Sequence, residues 1–144
     1  MAPAVSAGDY IATEGVTFLV RSPRRGDIVV FKSRQTDFTP AGIFYEKRIV
    51  AIPGDHLLIS NGDLFIDDTL VTLSNNVGRI VYDPPPGAFA LETNVTVPDG
   101  SYFLLGDDSP HSLDSRFFGS IRRSEIVGRV TFCYWPPWKI GMVK

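Results

Sequence analysis

His56-Leu57-Leu58-Ile59-Ser60-Asn61-Gly62-Asp63-Leu64-Phe65-Ile66 is the stretch that decides the fold class. Two short apolar runs flank Asn61-Gly62, and both of these residues tolerate the positive φ angles of a two-residue hairpin turn. The segment therefore predicts two antiparallel strands. Working outward, Asp27-Ile28-Val29-Val30-Phe31-Lys32 and Tyr45 to Ile52 are β-branched runs. The first is bounded by Gly26, the second by Pro53-Gly54-Asp55. Asn94 to Val97 and Ser101 to Leu105 flank Asp99-Gly100, a second hairpin signal. Thr69 to Leu73, Arg79 to Tyr82 and Ile126 to Tyr134 read as further strands. No window holds a helical period for a dozen residues. Ser115 to Phe118 and Ser124-Glu125 could each form a turn of helix. The pattern predicts an all-β fold of coiled antiparallel sheets with short strands and few helical turns. We expect one domain over residues 1–144, with 74–92 an excursion broken by Asp83-Pro84-Pro85-Pro86-Gly87.

Composition agrees with this reading. The chain has 144 residues, 44% of them hydrophobic and 21% charged, which fits a globular domain with its own core. Glycine and proline make about one residue in six, as many turns require. A net charge of −2, with Arg24-Arg25 and Arg122-Arg123 as isolated pairs and no basic stripe, argues against a nucleic-acid groove. One cysteine and two histidines exclude an internal disulfide and speak against a zinc site, so no metal or other cofactor is expected. No run of about 18 apolar residues is present to span a membrane as a helix.

Two places carry candidate chemistry. Alternation along Tyr45 to Ile52 puts Tyr45, Lys47, Ile49 and Ala51 on one face, and Glu46, Arg48, Val50 and Ile52 on the other. Lys47 is then either a strand-edge lysine that reaches water past an apolar stem, or a desolvated amine able to act as a base near neutral pH. The loop Gly106 to Arg116 collects hydroxyls, carboxylates and an arginine. A triad from Ser109 or Ser112 with His111 and Asp114 is disfavoured, because neighbours on an extended loop rarely converge. Asp67-Asp68 and Asp107-Asp108 read as turn residues, since they lack the spaced oxygens of a calcium loop. Cys133 reads as a small buried hydrophobe.

The chain resembles bacterial type I signal peptidases, serine–lysine proteases that remove signal peptides. Met1-Ala2-Pro3-Ala4-Val5-Ser6-Ala7-Gly8-Asp9 looks like the end of that family's Ser-Met-x-Pro-Thr-Leu-x-x-Gly-Asp box, with Ala4-Val5 where Thr-Leu is usual. Arg25 to Phe31 matches its Arg-Gly-Asp-Ile-Val-Val-Phe box, and Lys47 to Asp55 its Lys-Arg-Val-x-Gly-x-Pro-Gly-Asp box. Gly106-Asp107-Asp108 followed by Ser112-x-Asp114-Ser115-Arg116-Phe117-Phe118-Gly119 matches a further box, and Val127-Gly128-Arg129 closes the set. The resemblance covers essentially the whole chain.

It implies that Lys47 is the general base, that Ser112 orients it, and that Asp114 and Arg116 brace the loop. It implies substrate contacts at Met1, Pro3, Tyr45 and Glu46, with a signal peptide bound as an added strand. Glu46 stands where the family often carries an apolar residue. The partners implied are preprotein signal peptides and a membrane surface. Phe18, Trp135 and Trp138 are candidates for a membrane-facing patch, although we expect them in the core. The location implied is the bacterial cytoplasmic membrane, with the catalytic domain on its outer, periplasmic or extracellular face.

The family nucleophile is the serine immediately before the box methionine, which here is Met1. The expectation is a chain begun one residue too late, without nucleophile or membrane anchor and inactive as it stands, with a natural protein that lacks both as the alternative. Ser6 is a poor substitute, because five strand residues would place it about 16 Å from Met1. Two other readings remain. A related serine–lysine protease, such as a pilus-maturation enzyme or a self-cleaving repressor domain, shares the core fold. The Arg25–Phe31 box and the Pro53-Gly54-Asp55 turn favour signal peptidase over it, and no DNA-binding segment suits a repressor. A non-catalytic module holding extended peptides is the other reading.

Overall fold

The architecture is taken from a computed structural model describing residues 1–75, 78–83 and 93–143. In chain order the elements are β1 (Tyr10–Glu14), α1 (Thr17–Val20), β2 (Ile28–Lys32), β3 (Phe44–Ala51), β4 (His56–Ser60), β5 (Asp63–Ile66), β6 (Thr69–Val71), β7 (Ser74–Asn75), β8 (Gly78–Arg79), β9 (Thr93–Thr96), β10 (Ser101–Leu105), α2 (Ser115–Phe118), β11 (Ile121–Arg122), β12 (Ile126–Trp135) and β13 (Gly141–Met142). A seven-stranded sheet runs β1-β12-β2-β3-β10-β11, with β13 also on β12. A four-stranded sheet runs β6-β5-β4-β9, and β7 and β8 form a ribbon. The fold is mainly β, as the strand-length apolar runs predict.

Turn chemistry places the smaller sheet. Asn61 and Gly62 take φ of 50° and 78°, and they close β4 onto β5 with Ser60 opposite Asp63. Asp67 and Asp68 repeat this geometry at φ of 48° and 60°, turning β5 into β6. The expected hairpin at Asp99-Gly100 is corrected. Its turn forms, with Ser101 N donating to Pro98 O at 3.1 Å, but β9 pairs with β4 and β10 with β3. The turn therefore crosses between sheets, since each flanking strand is held by a different neighbour. Of the excursion at 74–92, β7 and β8 pair with each other, and Ile80 and Tyr82 enter the core. Residues 76–77 and 84–92 lie outside the described residues.

Three apolar clusters hold these pieces together. Leu57, Ile59, Leu64 and Ile66 of the smaller sheet pack with Val50, Ala51, Phe103 and Leu105 of the larger. Leu57 and Leu105 are fully buried, at about 1.5–3 kcal/mol each. The second cluster joins Val29, Phe31, Ile49, Leu104 and Phe118, with Phe18 at its edge. The third packs Ala4 and Val5 against Ile28, Val130 and Cys133. The alternation on β3 fails after Val50. The β3–β10 register skips that residue, so Ala51 joins the cluster of Val50, and Ile52 joins that of Ile49. Phe18 is core, but the expectation for the tryptophans is corrected. Trp135 is 49% and Trp138 82% exposed, since one ends β12 and the other sits in the 3-10 turn Pro137–Lys139.

Candidate active site

Lys47 sits on β3 opposite Val29 and is 8% exposed. Burial lowers the proton affinity of its amine from the ordinary 10.5, and the carboxylates of Glu46, Asp114 and Asp107 pull it partly back. On its far edge, among the described residues, β3 pairs with β10 only from Arg48 onward. The backbone from Phe44 to Lys47 thus leaves an open strand edge beside the amine.

A cavity of about 280 Å³ opens there, lined by Met1, Ser6, Glu46, Lys47, Asp108 and Ser112 among others. Ser112 is 8% exposed, and its Oγ has no hydrogen-bond partner among the described residues. Gly106 lies behind it. A Cβ on Gly106 would run into the Ser112 hydroxyl and lie 3.7 Å from Lys47 Cδ. The backbone must be bare at this point for the lysine stem and the serine to share one wall.

The Met1 amine is the third group at this cavity. Burial and the nearby charge of Lys47 both lower its proton affinity, while Glu46 raises it. The segment Met1–Asp9 reaches this place by a turn, not a strand. Val5 N donates to Met1 O at 3.1 Å, and Ala4 and Val5 are buried. That corrects the extended spacing assumed for Ser6, which lines the same cavity. Its hydroxyl is nevertheless committed elsewhere, accepting from Lys139 Nζ at 2.9 Å. Lys139 also pairs with Asp9 Oδ2 at 2.8 Å, and that oxygen accepts from Ser6 N at 2.8 Å. Lys139 is ion-paired and donates to Ser6, so it does not stand ready to take the serine proton.

The loop behind the cavity is held by buried charge. Asp114 accepts both Arg116 Nε at 2.9 Å and Nη2 at 2.8 Å, and it also accepts Gly106 N at 3.1 Å. Arg116 donates further to Ser109 O and Oγ and to Asp83 O, each at 2.9 Å. Ser109 is therefore fixed inside this network. His111 is 74% exposed and pairs with Asp108 at 3.0 Å, so no serine–histidine–aspartate triad forms.

Of the expected substrate positions, Met1 and Glu46 line the cavity, while Pro3 lines two neighbouring ones. The Tyr45 ring stacks on Phe31 with centroids 5.9 Å apart, leaving its backbone for the open edge. Sequence reasoning missed Asp107, read as a turn residue. It is buried and accepts Arg48 Nε and Nη2, both at 2.8 Å, while Arg48 Nη1 donates to Gly26 O. The signal was present in Arg48, an arginine within an apolar strand, which needs a buried carboxylate to be tolerated.

Comparison with known proteins puts this geometry in context. The family model described as signal peptidase, peptidase S26, matches residues 1–135. A probable signal peptidase I-2 from Synechocystis is 30% identical over 99% of this chain, which spans 62% of that protein. A probable chloroplastic thylakoidal processing peptidase 2 from Arabidopsis thaliana is 34% identical over 98% of the chain, which spans 37% of it. Signal peptidase I from Bacillus caldolyticus is 31% identical, over 94% of this chain and 75% of that protein. The crystal structure of a signal peptidase I from Enterococcus faecalis superposes with a TM-score of 0.56 at 26% identity, over 77% of this chain and 98% of the other. A buried strand lysine, an orphaned serine and a braced loop thus stand in a chain aligned over nearly all of its own length with part of such proteins, and the chain belongs to the signal peptidase family, peptidase S26.

Proposed function

We propose that this chain is the catalytic part of a serine endopeptidase that removes signal peptides from exported proteins, with Lys47 as the general base. The observation that carries the reading is the burial of Lys47 beside the open edge of β3, in one cavity with Ser112 and Met1. An amine relieved of its charge by desolvation can take the proton of a serine hydroxyl near neutral pH. The serine then attacks the scissile carbonyl, and the protonated amine returns its proton to the leaving nitrogen. The proposed position of that serine is the one joined to the Met1 nitrogen, because that nitrogen is close enough to Lys47 for their charges to oppose each other. Ser112 Oγ, unpartnered and on the same wall, is the group we assign to orienting the lysine. Asp114 and Arg116 are assigned to holding the loop that carries it.

The signal peptide enters as an extended strand on Phe44 to Lys47, where backbone bonds supply affinity. A membrane surface is the proposed setting, with the catalytic part on the outer face of the bacterial cytoplasmic membrane. Trp135, Trp138, Ile140 and Met142 give that surface exposed apolar groups. The described residues contain no helix long and apolar enough to cross a membrane.

The test is cleavage of a signal-peptide-bearing preprotein by three forms: the chain as it stands, a form with one serine joined ahead of Met1, and that form with Lys47→Ala. Turnover is expected from the serine-extended form alone. Turnover that survives Lys47→Ala would overturn the mechanism. Peptide binding without turnover in every form would favour a binding module.

A further inference from the structure

We propose that Glu46 makes the peptide groove selective for a basic side chain at the substrate position facing it. The inference rests on the strand-addition reading of this site and names the substrate class it favours. Glu46 is half-buried on the open stretch of β3 and lines the cavity beside Lys47. Among the described residues no hydrogen bond or ion pair reaches its carboxylate. The other carboxylate of the lining, Asp108, is 44% exposed and pairs with the exposed His111. Asp107 is already neutralised by Arg48 on the far side of the strand.

When Lys47 is the neutral base, the described lining holds no other lysine or arginine to offset the charge of Glu46, and only the Met1 amine lies near enough to do so. A peptide lying on Phe44 to Lys47 would cover that carboxylate. An apolar side chain over Glu46 removes water from it and returns no hydrogen bond, which is unfavourable. A lysine or arginine side chain there supplies the missing donor and charge. Glu46 therefore both attracts basic peptides and penalises apolar ones, which is how specificity is built.

The test is fluorescence anisotropy with the full chain acetylated at Met1, so that the amine does not itself neutralise Glu46. The probes are labelled twelve-residue peptides of alanine and serine, each carrying one lysine at a successive position. One lysine position, or two positions separated by one residue, is expected to bind about fivefold tighter than the neutral parent, with the gain fading in high salt. Glu46→Gln should bring the lysine peptides down to whatever affinity that variant shows for the parent, and Glu46→Lys should move the preference to an aspartate at that position. A flat lysine scan with measurable parent binding overturns the inference. A gain that survives Glu46→Gln, or that disappears instead in Asp108→Asn, overturns it too. If neither the parent nor any lysine peptide binds, the strand-addition reading itself falls, and the inference with it.

Discussion

Gly106 and Ser112 approach so closely that no side chain fits between them: a Cβ on Gly106 would lie 2.7 Å from the Ser112 Cβ. Gly106→Ala must therefore displace the serine or bend the strand end. We expect a loss of about 1–3 kcal/mol in denaturant unfolding, as for other overpacked sites. In the serine-extended form, turnover should fall with it, because the displaced wall also touches the lysine stem. Unchanged stability and turnover would show that the wall is looser than described.

Ser112→Ala separates support of the base from support of the fold. The hydroxyl is buried without a partner, so removing it relieves an unsatisfied group. Stability should stay within about 0.5 kcal/mol or rise. In the serine-extended form kcat should fall by about tenfold or more, with the pH profile displaced and KM little changed. A lost fold, or full activity with an unmoved profile, would remove Ser112 from its assigned role.

Lys47→Met gives a pH-dependent stability with a definite sign. The folded-state proton affinity of Lys47 is lowered from 10.5, so over the interval below 10.5 the unfolded chain binds more protons than the folded one. Wild-type stability from this group then rises with pH through that interval. Below the lowered pKa both states are charged and the burial cost is present in full. The methionine variant, which has no charge to bury, should be more stable by about 1–2 kcal/mol there. Its advantage should shrink as pH climbs toward 10.5. Unfolding curves at several pH values check this, and an advantage that grows with pH would contradict it.

Asp107→Ala leaves the Arg48 guanidinium, 3% exposed, without its bidentate carboxylate. A cost of about 3–5 kcal/mol is expected in urea unfolding. The double variant with Arg48→Met should recover a large part of it, because it also removes the buried guanidinium that has lost its carboxylate. Additive losses in the double variant would mean that the two residues stabilise the fold through separate contacts.

Local signals were legible in the chain, and partner choice was not. Asn61-Gly62 and Asp67-Asp68 act through their own backbone, so their turns could be read directly. So could the helical turn at Ser115–Phe118, which Asp114 caps by accepting Arg116 N. The turn at Asp99-Gly100 formed as read, but which strands it joined depended on open edges elsewhere in the sheets. Trp135 and Trp138 are exposed for the same reason: what covers a strand end is decided by neighbours distant in sequence. Arg48 and Asp107 lie 59 residues apart. Arg48 signals that some buried carboxylate is needed, but which one is fixed only by the β3–β10 pairing that brings the two together.

The claim on which the rest depends is that Lys47 is a desolvated amine. Its titration can be followed directly, by NMR of the lysine Cε and Nζ resonances in the folded chain, with Lys47→Met assigning the signal. One lysine resonance should titrate below the ordinary value of 10.5 and vanish in the variant. A Lys47 amine that titrates at or above 10.5 would contradict its assignment as the base.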